Sequence, residues 1–158
     1  MRILGIDPGT GILGFGVIDI QGREVQMVDA GVIRTPVKED DAVRLLTIYE
    51  ELSDIITNSR PTIMSVEKLF FARNVTTAMT VSQARGVVLL CAKQADMTIF
   101  EYTPMQIKQA ITGYGKADKK QMQEMVRVLL KLKDIPRPDD CADALAAALT
   151  HAAAARLA

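Results

Sequence analysis

Apolar positions along the chain switch repeatedly between short runs and helical spacing. Ile3-Leu4-Gly5-Ile6 forms an apolar run that closes on Asp7 and passes into Pro8-Gly9-Thr10, which predicts a strand over residues 2–7 and then a turn. Phe15 to Ile20 reads as a second strand, Gln21-Gly22-Arg23 as its turn, and residues 24–34 as a third strand. Connections this short exclude helical crossovers, so the three strands form an antiparallel meander. Leu45, Ile48, Tyr49, Leu52, Ile55 and Ile56 then recur at helical spacing, predicting an amphipathic helix over 41–58 that ends before Pro61.

Residues 62–67 give a fourth strand, and it finishes on Glu67 as the first finishes on Asp7. Asn74 is placed to cap a long helix over 75–94, whose Ala78, Met79, Val87, Val88 and Cys91 suit packing on the sheet or on a partner. A fifth strand spans 97–102. Thr103-Pro104 opens a short helix to about residue 111, and Asp118 with Gln121 forms a capping-box start for a helix carrying Met122, Met125, Val126, Leu129 and Leu130. An alanine-rich helix from Asp139 to about Ala155 follows Pro136 and Pro138. Repeats and long linkers are not evident, so residues 1–158 are expected to form one domain, large enough to bury roughly 70% of its unfolded surface.

Composition narrows the chemistry. A hydrophobic share of 49% with 24% charged residues suits a globular protein, and no apolar run approaches the roughly 20 residues of a membrane span. With no basic-then-apolar leader at the start, a cytoplasmic protein that avoids membranes is expected. Cys91 and Cys141 are expected as free thiols, and two cysteines with one histidine cannot build the usual four-ligand zinc site. Any metal must therefore have oxygen ligands. The formal net charge of zero conceals segregation: Lys108, Lys116, Lys119, Lys120, Arg127, Lys131, Lys133 and Arg137 face only Asp118, Glu124 and Asp134 in the same stretch. That basic segment suits either a polyanion or a solvated helix face.

Gly9-x-Gly11-x-x-Gly14 matches the dinucleotide fingerprint, but the segment continues as a strand where a helix must open, so these read as hairpin-turn glycines. A phosphate loop at Lys116 fails because Ala110 and Ala117 stand where glycine and a hydroxyl are needed. The acids remain. Asp7 and Glu67 end strands, while Asp140 and Asp143 lie three apart at the start of the last helix and face one side. Each alone has an ordinary explanation, but gathered together, at about 4 Å, like charges repel by roughly 4 kcal/mol at an effective dielectric of 20, which a cation relieves. Oxygen-only ligands select Mg²⁺ or Mn²⁺. His151 is eight residues beyond Asp143, about 12 Å along a helix, and is assigned to surface or packing.

Leu4 to Thr10, Val66 to Phe71, Gln83-Ala84-Arg85-Gly86 and Asp140 to Ala146 together resemble the ordered motifs of the RuvC family of bacterial Holliday-junction resolvases. The segments Pro104 to Gln109, Gly113 to Lys120 and Ala148 to His151 are also similar to that family. The resemblance implies an RNase H-like α/β fold, a mixed five-stranded sheet with helices on both faces. It places catalytic, metal-binding carboxylates at Asp7, Glu67, Asp140 and Asp143, leaving Asp139 as helix cap, with an Asp139/Asp143 pairing as the minor alternative. Basic residues near DNA fall on Lys108 and Lys119, with Lys116 in the adjoining loop, and an aromatic at the opened junction falls on Phe70. Implied too are hydrolysis by two Mg²⁺ ions bridged by Asp7, with Mn²⁺ as the substitute metal, and a homodimer on a four-way DNA junction. The family further implies cooperation with the RuvA and RuvB branch-migration proteins; the helix over 75–94 is the candidate dimer face. The other readings are an RNase H-like nuclease for ribosomal RNA precursors, which shares the first motif, a sugar-kinase or actin-like phosphate-binding domain, and a non-catalytic junction-binding module.

Overall fold

The computed structural model describes residues 1–68 and 75–157. Five strands, β1 (Arg2–Asp7), β2 (Ile12–Gln21), β3 (Glu24–Arg34), β4 (Ile63–Glu67) and β5 (Thr98–Tyr102), form one sheet in the order β3-β2-β1-β4-β5. The first three are antiparallel, and β1, β4 and β5 run parallel. The helices are α1 (Asp41–Ser59), α2 (Val75–Gln94), α3 (Pro104–Thr112), α4 (Lys119–Leu129) and α5 (Asp139–Leu157).

Side chains alternate across a strand, so each strand feeds two cores. Leu4, Ile6, Leu13, Phe15 and Val17 pack with Ile48, Leu52 and Ile56 of α1 and Ala84, Val88 and Cys91 of α2. On the other face Ile3 and Ile18 meet Ile107 and Ile111 of α3, Met122 and Val126 of α4, and the alanines of α5. Helices thus cover both faces, as expected. Local chemistry sets their starts: Thr103 and Gln106 close one capping box before α3, and Asp118 and Gln121 close another before α4.

Two sequence expectations are corrected. Strand β2 begins at Ile12, three residues earlier than the apolar run suggested, so Gly14 is not a turn residue but lies within the strand, directly opposite Asp7. Helix α2 does have the length and composition of a membrane span. Its inner residues Ala84, Val88, Cys91 and Ala92 are nevertheless buried in the fold, and Arg85 pairs with Glu101 of β5. Both cysteines are free and buried, and His151 takes a packing role: it stacks on Phe100 at 4.1 Å and its Nδ1 lies 2.8 Å from the Tyr102 hydroxyl.

Candidate active site

Parallel pairing sets the first two acids side by side. Ile6 is in register with Val66, so Asp7 and Glu67 leave the same end of adjacent strands, which are spaced about 4.8 Å apart. Counting back by twos, Asp7 shares a face with Gly5 and Ile3, and Glu67 with Ser65 and Ile63, which is the face that α5 covers.

Helix α5 reaches that face because side chains are missing beneath it. A Cβ on Gly14 would stand 2.0 Å from the Asp140 carbonyl oxygen, and one on Gly5 would stand 2.0 Å from that of Ala144. Small residues on the helix complete the fit, with Ala144, Ala147 and Ala148 fully buried. Farther along, the Ser65 hydroxyl donates to the Ala147 carbonyl at 2.6 Å and ties β4 to the helix. Glycine is needed at position 14 for close approach, and the consequence is that the first two turns of α5 deliver Asp140 and Asp143 to the strand ends.

The four carboxylates interact electrostatically. Burial, then the charges of Asp143, Glu67 and Asp140, push the Asp7 carboxyl up from 3.8 to about 8, and Asp140 lies within hydrogen-bonding reach of it. Burial and Asp143 raise Glu67, with Lys108 opposing. Burial also raises Asp143, while Lys119 opposes and Asp140 and Asp139 reinforce. A cleft of about 290 Å³ runs between Glu67 and Asp143, with Lys108 and Lys119 on its walls. An apolar hollow of about 570 Å³ beside Tyr114 and Met125 has none of the four acids in its lining.

Asp7, Glu67, Asp140 and Asp143 are therefore brought together, and Lys108 and Lys119 join them. Lys116 is exposed and outside the cleft lining. Phe70 lies outside the described residues. Asp139, expected as a helix cap, is instead the first residue of α5, and its carboxylate accepts from Gln123 Nε2 at 3.0 Å and pairs with Lys119 Nζ at 3.1 Å. Sequence reasoning missed Gly14 and Gln123; the alternation of β2 opposite Asp7 held a signal for the first, but nothing local marked the second.

Among the described residues, no three or more His, Cys, Asp or Glu side chains are arranged closely enough to hold a metal ion as they stand. The donor chemistry nevertheless fits a hard divalent cation: these are carboxylates without sulfur or imidazole, and the neighbouring carboxylates that help raise Asp7 gather negative charge that a cation would offset.

The strand order, with helices on both faces, defines the RNase H-like class of α/β proteins. Residues 3–151 match the family model described as crossover junction endodeoxyribonuclease RuvC. Crossover junction endodeoxyribonuclease RuvC of Brevibacillus brevis is 56% identical over 152 residues, 96% of this chain and 92% of the relative, and that of Pseudothermotoga lettingae is 52% identical over 153 residues, 97% and 94%. A structure of T. thermophilus RuvC in complex with Holliday junction substrate superposes with a TM-score of 0.94 at 40% identity, covering 99% of this chain and 96% of that one. The chain belongs to the RuvC family.

Proposed function

We infer that this chain is a crossover junction endodeoxyribonuclease, a nuclease that resolves four-way DNA junctions in recombination and repair. Family membership over nearly the whole chain supports this, and it separates the protein from the ribosomal RNA nuclease that shares the first motif. The observation that carries the site assignment is the electrostatic meeting of acids from three separate elements, β1, β4 and α5, with Glu67 and Asp143 lining a cleft that Lys108 and Lys119 also line. Asp7, Glu67, Asp140 and Asp143 are proposed as the catalytic, metal-holding set, in one nuclease unit spanning residues 1–158.

Two Mg²⁺ ions, or Mn²⁺ in their place, would be held by these carboxylates and would supply an activated water and charge compensation at the departing 3′-oxygen. The protein's part is positional and electrostatic. Strand ends hold Asp7 and Glu67 rigidly, α5 fixes Asp140 and Asp143 against them, and Lys108 and Lys119 offer ammonium groups to the phosphate that enters between them. Phe70 is retained as the residue proposed to meet the opened junction, and Lys116 as an outlying phosphate contact.

A four-way junction has near two-fold symmetry, so a two-fold dimer would present one such cleft to each of two opposed strands. Exposed Val75, Met79 and Leu90 make the outer side of α2 the proposed dimer face. Cooperation with RuvA and RuvB and a cytoplasmic location belong to the same reading. The test is to offer the protein a synthetic four-way junction and a matched linear duplex, with and without Mg²⁺, and to map the nicks. Paired symmetric nicks confined to the junction and dependent on Mg²⁺ are expected; equal cutting of the duplex would refute junction specificity.

A further inference from the structure

The acid beside the proposed set has a different employment. Asp139 Oδ1 accepts the Gln123 amide at 3.0 Å and has Arg137 Nη1 at 3.6 Å, while Oδ2 lies 3.1 Å from Lys119 Nζ. Gln123 is buried, whereas Lys119 is 58% exposed along its side chain. The carboxylate is thus the fixed member of the pair and the lysine the mobile one. Lys119 and Gln123 stand four residues apart on α4, so one face of that helix presents both to the start of α5. The capping box at Asp118, with contacts of 2.8 and 2.9 Å, secures the backbone from which Lys119 departs.

A lysine this exposed ordinarily samples many rotamers, because its charge rides on a flexible four-carbon stem. Here Lys119 lines the cleft with Glu67 and Asp143, and its charge is felt at Asp143. An ammonium has three N–H donors, and the contact with Asp139 uses one, leaving others to meet a phosphate oxygen.

We propose that Asp139 is a positioning residue that pins the Lys119 ammonium at the rim of the catalytic cleft, oriented toward the scissile phosphate. It acts through Lys119 and holds no metal: its two oxygens are committed to Gln123, Arg137 and Lys119. The inference rests on the site reading above, and pre-orientation of a charged donor is where its effect on rate arises.

Asp139→Asn keeps an acceptor for Gln123 but removes the charge that holds Lys119, and Asp139→Glu keeps the charge. Single-turnover nicking of a synthetic four-way junction at saturating protein in Mg²⁺ should slow about tenfold in Asp139→Asn and recover at least half of that loss in Asp139→Glu. Junction affinity in EDTA and the melting temperature should be unchanged in both. The ¹³C order parameter at Lys119 Cε, measured in the free protein, should fall in Asp139→Asn and be retained in Asp139→Glu. Wild-type or faster nicking by Asp139→Asn would overturn the proposal, the faster rate meaning that the pair parks the lysine away from DNA. A tenfold loss without any change at Lys119 Cε would overturn it too, since Asp139 would then act by another route. Asp7→Asn separates the two readings: if it cuts normally the site assignment fails, whereas an inactive Asp7→Asn beside a fully active Asp139→Asn defeats only the present inference.

Discussion

Replacing Asp7 by Asn should stabilise the metal-free protein while destroying its activity. The Asp7 carboxyl is pushed up to about 8 from 3.8, first by burial and then by the neighbouring carboxylates. Because its affinity for the proton is raised in the fold, folded protein binds more protons than unfolded chain between pH 4 and 8. Stability is therefore full below about pH 4, falls as pH rises through that window, and levels off above 8. At 1.36 kcal/mol per pH unit the shift amounts to roughly 6 kcal/mol as an upper limit. Relaxation and water penetration around the ionised carboxylate reduce this to roughly 2 kcal/mol. The neutral amide of Asn escapes the cost. In thermal melts with EDTA, Asp7→Asn should therefore melt about 4–8 °C above wild type at pH 8.5, with the two converging near pH 4. Added Mg²⁺ should raise the wild-type melting temperature at pH 8.5 and leave that of Asp7→Asn nearly unmoved. Equal melting of the two proteins at pH 8.5, with parallel pH profiles, would refute the account of Asp7 as a strained carboxylate awaiting a cation.

Gly14→Ala places a methyl group where the Asp140 carbonyl now sits, so the start of α5 must move; a loss of about 1–3 kcal/mol in denaturant unfolding and at least a tenfold loss of nicking should follow, and wild-type nicking would contradict the close-approach argument. Glu67→Gln, Asp140→Asn and Asp143→Asn should each abolish cutting in a junction assay yet still shift the junction on a native gel. If Asp140→Asn cuts at the wild-type rate and Asp139→Asn does not cut at all, the ligand at the start of α5 has been misassigned. Met79→Glu with Leu90→Glu should convert a dimer into a monomer by sedimentation, since both side chains are exposed on the single chain; an unchanged mass would remove α2 from the interface.

The elements were legible because each is coded locally. Capping boxes at Thr103 and Asp118, the stripe from Leu45 to Ile56, and the runs ending at Asp7 and Glu67 are set by neighbours within a few residues. The four acids stood out along the chain too, in motifs resembling a known family, and the fold brings those four near one another. Gly14 was misread because a glycine in a turn and a glycine beneath a helix look alike until the helix is in place. Asp139 was misread for a related reason: its partners Lys119 and Gln123 lie on another helix, and only packing of α4 against α5 reveals that its carboxylate is already engaged.

By itself, then, the sequence determined which segments become strands and helices, which acids end them, and which family they join, since hydrophobic period, caps and motif order are written along the chain. Tertiary structure alone decided how those acids meet. Parallel pairing of β1 with β4 sets Asp7 beside Glu67, and the space left empty at Gly14 and Gly5 lets α5 descend far enough to bring Asp140 and Asp143 to them. Burial there raises the proton affinity of Asp7, a property of the surrounding dielectric and of charges 60 and more residues away in the chain, which no local reading of Asp7 contains.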